Sequence, residues 1–317
     1  MTENEITENE VTENELKQEL SVINQDAKPE SSTVAPQSFV NPPETVAPAA
    51  CSCETQSVET ASAKPSYIYA IGNIEAHFPN VSVEKEFRQV AKNGATANLT
   101  DQQVLHDILK ENRYLAREVC WVFSVEGIET YLLVPKTDSE LTDLVNSIKP
   151  TIKLDHEVII GEKGPMATPR MCNGLILPII VCDQVFSFNM EEFVNAIPKP
   201  KDVQEEQFKE SIRFVLEKIM HMTDNVGDMD SHRAMNYLSL RYPAIYTNTA
   251  EMFVKDNWLA GIVVQPSRLS GATRNIVEVI FEFTNRNTDY RQKSFVRVDI
   301  TNKWPFLVSK LAPYNDI

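Results

Sequence analysis

A break in composition near residue 65 constrains this chain more than any single motif. Residues 1–64 hold 12 acidic and three basic side chains, so this stretch carries −9 of the chain's net −15. It contains one aromatic residue, Phe39, and five prolines. A segment of that kind cannot bury enough apolar surface to offset the entropy lost on ordering, and disorder is the expectation for it. It opens with three copies of one unit, Thr2–Ile6, Thr7–Val11 and Thr12–Leu16, each T-E-N-E followed by an aliphatic residue. Five residues turn a helix by about 140°, so Ile6, Val11 and Leu16 share no helical face. The repeat reads as a solvating low-complexity arm; the alternative is a docking peptide for a basic groove.

From Ser66 onward the composition is that of a globular protein. Strands are predicted at Tyr67–Gly72, Cys120–Val125, Thr130–Val134, Glu157–Gly161 and Leu175–Phe188, with Pro178 breaking the last or placing it at an edge. Helices are predicted over Val83–Ala91, stopped by Asn93-Gly94, and from two capping boxes, Thr100–Gln103 and Thr137–Glu140. Pro150 ends the last of these helices. Pro198-Lys199-Pro200 is the internal boundary. Beyond it Phe208, Ile212, Val215, Leu216, Ile219 and Met220 form a helical stripe. Ser231–Arg241 is a second helix, and Asn248–Glu251 reads as the cap of a third. Three strands follow: Leu259–Pro266, Asn275–Phe283 and Ser294–Ile300. A hairpin centred between Asn287 and Thr288 would set Glu282 against Lys293 and Glu278 against Arg297. The fold class is therefore α+β in two sub-domains. Residues 66–197 form a mixed α/β first half. Residues 201–317 form a helical segment followed by an antiparallel β-meander.

The acidic balance argues against a nucleic-acid binder, because phosphate contacts need clustered lysine and arginine. The longest uncharged apolar run, Gly174–Cys182, is far short of the roughly 18 residues that cross a bilayer. The N-terminus, Met-Thr-Glu-Asn-Glu, lacks the features of a secretory signal, and a cytoplasmic location is the expectation. Five cysteines without regular spacing, Cys51, Cys53, Cys120, Cys172 and Cys182, fit reduced thiols better than a disulfide framework.

No nucleophile elbow, dinucleotide fingerprint, P-loop or H-E-x-x-H motif is present. Weaker constellations remain. Cys120, Cys172, Cys182 and His156 are a thiolate–imidazole set of the kind that holds zinc, and Cys172 with His156 could form a nucleophile pair. Their spacing fits no known finger, and buried cysteine is usually a small hydrophobe. His221, Asp224, Asp228, Asp230 and His232 could bind a divalent ion. They are better read as a helix end, a turn at Asn225 and Gly227, and an N-cap at Asp230 or Ser231. The arginines are the stronger candidates. Arg241 with Tyr242, Arg268 and Arg274 around one loop, and Arg286 all sit at element ends, where binding residues concentrate. Guanidinium forks suit carboxylates. The competing reading makes them ion pairs that fix the second half.

A family resemblance emerges from longer stretches. Tyr67-Ile68-Tyr69-Ala70-Ile71-Gly72-Asn73-Ile74-Glu75, with Phe78-Pro79 and Val83-Glu84-Lys85-Glu86-Phe87, resembles the opening of the PatG C-terminal domain family of cyanobactin maturation proteins. Further agreement comes at Asn112–Arg117, Cys120-Trp121-Val122, Glu126–Tyr131, Met171–Gly174, Arg241–Tyr246, Pro266–Gly271, Thr284-Asn285-Arg286, Phe295–Asp299 and Pro305–Val308. The similarity runs from Ser66 to Tyr314. Proteins of this family join the domain to a subtilisin-like protease domain and sometimes an oxidase; a related domain ends PatA. No G-T-S-x-A-P motif occurs here, so protease or macrocyclase activity does not carry over. Cysteine-bearing linkers before the domain are usual in the family, which accounts for Cys51 and Cys53. The resemblance implies a non-catalytic accessory domain that needs no cofactor. Its partners would be the precursor peptide or another maturation enzyme. Self-association is a separate expectation, because an exposed strand such as the Pro178-bearing one can pair across a two-fold axis. The rival expectation is an uncharacterised enzyme or metal-binding protein acting on modified peptides.

Overall fold

The computed structural model describes residues 65–93, 100–150, 155–222 and 224–314. The acidic repeat arm, Cys51, Cys53 and Gly94 lie outside these residues. The α+β expectation holds: a mixed first half is followed by helices and a four-stranded antiparallel sheet.

The first half is a closed five-stranded barrel in the order β1-β2-β3-β5-β4. Its strands are β1 (Tyr67–His77), β2 (Cys120–Val125), β3 (Ile128–Pro135), β4 (Asp155–Met166) and β5 (Pro178–Asn189). All neighbours are antiparallel except β3 and β5, which run parallel. This is the Greek-key order of an OB-type barrel. Closure depends on β1 serving two neighbours. Residues 67–72 pair with β4 and residues 73–77 pair with β2. Gly72 sits at the changeover, where an added Cβ would lie 2.2 Å from the Ser124 carbonyl oxygen, so only glycine lets the strands approach there.

Three helices, α1 (Val81–Asn93), α2 (Asp101–Glu111) and α3 (Arg113–Glu118), join β1 to β2. Leu115 belongs to the short α3 rather than extending α2. The helix α4 (Asp138–Ser147) lies between β3 and β4 and packs Leu141, Leu144 and Val145 into the core with Trp121, Phe123, Leu133 and Ile180. Both capping boxes form as read, with Thr100–Gln103 opening α2 and Thr137–Glu140 opening α4. Pro178 neither breaks a strand nor marks an edge. It starts β5, whose two neighbours leave it no free side.

After α5 (Met190–Ala196) the chain enters α6 (Glu205–Met220), α7 (Asp230–Arg241) and α8 (Ala244–Val254). These back a sheet in the order β6 (Asn257–Pro266), β7 (Ile276–Asn285), β8 (Arg291–Asp299), β9 (Phe306–Pro313). Val277, Val279, Phe281 and Phe283 of β7, with Val296, Val298 and Ile300, bury against Phe208, Ile212, Val215, Leu216 and Ile219 of α6. The predicted hairpin register is the observed one. Glu278 faces Arg297 at 2.8 Å and Glu282 faces Lys293 at 3.4 Å. Two expectations fail in this half. The Asn248–Glu251 segment is no cap, because α8 begins at Ala244 and Thr249 is buried, its hydroxyl donating back to the Ile245 carbonyl at 2.8 Å. Neither Asp230 nor Ser231 caps α7; Met229 holds that position without a side-chain bond.

The α6–α7 turn docks on the barrel. Gly227 takes φ +78°, its carbonyl accepts from the Tyr69 N–H at 2.9 Å, and a Cβ there would meet the Tyr69 oxygen at 2.4 Å. Asn225 and Asn236 donate to each other's amide oxygens at 2.8 and 3.1 Å. Asn236 also donates to Tyr69 O at 2.8 Å and Asn225 to Ile219 O at 2.9 Å. Around this network Tyr69, Ile71, Val158 and Ile160 pack against Met220, Tyr237 and Leu240.

Candidate functional site: an aromatic cleft beside Arg286

The cleft is assembled where α8 turns into β6. Asp256 takes φ +59°, and its carbonyl accepts from the Arg286 N–H at 2.9 Å. That tight turn stacks Phe253 on Trp258, with ring centroids 4.8 Å apart and planes 7° apart. Phe214 lies off the buried stripe of α6 and closes the third side, 4.8 Å from Trp258 and 5.9 Å from Phe253. The β7–β8 turn fixes Arg286. Asn285 Oδ1 accepts from the Asn287 and Thr288 N–H groups at 3.0 and 3.1 Å, and its amide donates to Lys255 O and Asn257 Oδ1. The Arg286 guanidinium then lies 4.7 Å from the Trp258 ring centroid, within cation–π range. Among the described residues no carboxylate pairs with it. Gln207, Glu210, Ser211, Asp256 and Asn257 complete a cleft of about 350 Å³.

The other arginine candidates do not converge on this place. Arg274 and Arg286 bracket the ten residues of β7, a span of about 33 Å. Arg274 clamps Asp299 through two nitrogens at 2.9 and 2.7 Å. Burial pushes the Asp299 carboxyl up, but Thr301 and Arg274 outweigh it and hold it below the usual range. Arg241 stacks 5.3 Å over Phe186, and the Tyr242 hydroxyl accepts from the Leu311 N–H at 2.9 Å. Arg268 is exposed in the β6–β7 connection, at the Arg274 end. The five residues thus divide into structural clamps, one surface arginine and the cleft arginine. Sequence reading missed the residues around Arg286, because Phe214, Phe253 and Trp258 meet only after α6, α8 and β6 pack. It also missed Arg233, which is buried and donates to Ile300 O at 3.0 Å and to Asn302 O.

A second groove of about 640 Å³ opens on the barrel, lined by Trp121, Leu132, Val134, Leu141 and Met171. Three of its charged lining residues are engaged in ion pairs, Arg117 with Asp138 and Lys136 with the neighbouring Asp183. Cys120 and Cys172 form one wall and are joined as a disulfide, with Cα atoms 5.8 Å apart. This corrects the reading of free thiols: the β4–β5 connection folds back over β2, which spacing alone does not reveal. It also removes Cys172 as a nucleophile. His156 packs against Phe188 with the rings tilted, 5.6 Å between centroids. Cys182 is buried in the barrel core, its thiol pushed up to about 12 by burial and by Asp183 and Glu140.

The His–Asp cluster is dispersed among structural duties. His221 Nδ1 lies 2.8 Å from Glu217 O, Asp228 binds Lys163 at 3.0 Å, and Asp230 accepts from Asn275 at 2.5 Å. Burial lowers the basicity of His232 against the pull of Asp228 and Asp224. Among the described residues no group of three or more His, Cys, Asp or Glu is placed to hold a metal ion.

The described residues define a two-part α+β module, an OB-type barrel joined to a helix-backed four-stranded meander, whose open chemistry is an aromatic cleft with one unpaired guanidinium. Residues 202–314 match the family model described as PatG C-terminal. A solved structure described as "PatG Domain of Unknown Function" is similar over 78% of this chain and 98% of that chain, at a TM-score of 0.65 and 17% identity. That likeness shows a common fold for both halves. No curated protein matches the chain.

Proposed function

We propose that the chain is a non-catalytic accessory module of cyanobactin-type peptide maturation that binds a precursor peptide. The match of residues 202–314 to the PatG C-terminal family model supplies the context. The observation that carries the reading is Arg286, held over the Trp258 ring beside Phe253 and Phe214 and left without a carboxylate partner among the described residues. Aromatic faces take an apolar side chain with little ordering cost, and the guanidinium takes a carboxylate next to it. Glu210 and Asp256 on the rim disfavour a ligand with several adjacent acids.

The test is calorimetric titration of the full-length protein with the synthetic precursor peptide. Arg286→Ala and Trp258→Ala are expected to weaken binding about tenfold or more, from loss of the charge-assisted and stacking contacts. Arg268→Ala should leave the affinity unchanged. A wild-type protein that binds no precursor, or binding that Arg286→Ala leaves intact, would remove this reading. A version starting at Lys64 assigns any remaining share of binding to the acidic arm.

A further inference from the structure

The barrel is closed, so the open backbone edges of the described fold belong to the second sheet, at β6 and β9. The two edges differ in kind. β9 carries Lys310 and pairs with β8 through two register shifts. Lysine and bulges are among the usual guards against edge-to-edge pairing. β6 reads Asn-Trp-Leu-Ala-Gly-Ile-Val-Val-Gln-Pro and has no charged residue along its length. Its one register shift lies at Leu259/Gly261, before the straight stretch from Ile262 to Gln265.

The hydrogen-bond alternation identifies which groups of β6 are free. Ser267 N–H donates to Ile276 O at 2.8 Å, so Ser267 is a bonded position of the ladder. Alternation then turns Gln265, Val263 and Gly261 toward β7, and leaves the N–H and C=O of Ile262 and Val264 facing outward. Among the described residues those groups have no partner. Between them Val263 puts its side chain on the sheet face away from the helices and is 42% exposed.

We propose that β6 pairs antiparallel with β6 of a second copy of this chain, across a two-fold axis at Val263. In that register Ile262 of each copy is bonded to Val264 of the other, and Val263 faces its own counterpart. The two sheets become one eight-stranded sheet. The absence of charge is what selects a second copy over another partner. Across a two-fold axis a charged residue near the centre meets its own like charge, whereas a foreign peptide could offer the opposite sign. A chain of net −15 needs an uncharged contact to approach itself.

Sedimentation equilibrium of the full chain tests this. The wild type is expected to give twice the monomer mass. Val263→Lys and Val263→Glu alone should each give the monomer mass, because like charges face each other. An equimolar mixture of the two should recover the dimer, with lysine opposite glutamate. Far-UV circular dichroism checks that each variant is folded, and a misfolded variant would not be rescued by mixing. A monomeric wild type at its solubility limit overturns the proposal, as does a Val263→Lys protein that stays dimeric. A monomer that binds an extended precursor peptide, with binding lost in Val263→Lys, would give the edge to a peptide instead and also overturn it.

Discussion

At the residue scale, Asn225 and Asn236 are a buried amide pair in which the donors and acceptors answer one another. Between them they engage each other, the end of α6 and the backbone of β1. Such a network is stable only when complete. Asn236→Leu would leave the Asn225 amide and the Tyr69 carbonyl without their partner, each at roughly 1–3 kcal/mol. We expect urea melts to show a loss of about 3 kcal/mol, against less than about 0.5 kcal/mol for the exposed Arg268→Ala. A loss below 1 kcal/mol in Asn236→Leu would mean that water replaces the network. Asn225 was legible only as a turn residue and Asn236 not at all, for a plain reason. The bond from Asn236 to Tyr69 O spans 167 positions, and no local pattern encodes a contact of that range. The Arg286 cleft was half visible on the same grounds: its position at an element end could be read, its aromatic walls could not.

At the scale of elements, the β7–β8 hairpin was legible because its charges alternate with its apolar face, so one register pairs both Glu278 and Glu282 with cations. β9 was not, because its exposure lacks a clean alternation and two shifts in pairing set its course. The hairpin's central ion pair also makes a pH statement. Burial pushes the Glu278 carboxyl up, but hydrogen bonds from Arg297, Ser267 and Gln265 outweigh it and hold it below its ordinary value. A carboxyl lowered in the folded state contributes stability above its unfolded pKa and loses it as pH falls through the folded one. Asp299, lowered beside Arg274, acts in the same direction. Chemical unfolding should therefore show stability falling as pH drops below about 4.3, the ordinary glutamate value. Glu278→Gln should be less stable than wild type near neutrality and lose less on acidification. An equal slope in the two proteins would assign the acid sensitivity elsewhere.

For the whole molecule, the question is whether barrel and meander unfold together. The Cys120–Cys172 disulfide lies wholly in the barrel and closes a loop with a sequence separation of 52. Chain-entropy arguments assign a loop of that size roughly 4 kcal/mol. The junction where Gly227 docks on β1, with the Asn225–Asn236 network and the packing of Tyr69, Ile71, Val158 and Ile160 on α7, gives the two parts a common core surface. If that surface couples them, reduction should lower a single transition that melts both sheets. Trp304 near β9 and Trp121 in the barrel should then report the same midpoint, and Cys120→Ala/Cys172→Ala should behave as the reduced wild type. Gly227→Val, by forcing the turn away from Tyr69, should split the melt in two and confine the effect of reduction to the barrel transition. Two transitions already present in the wild type, with only one shifted by reductant, would show that the junction is contact without coupling.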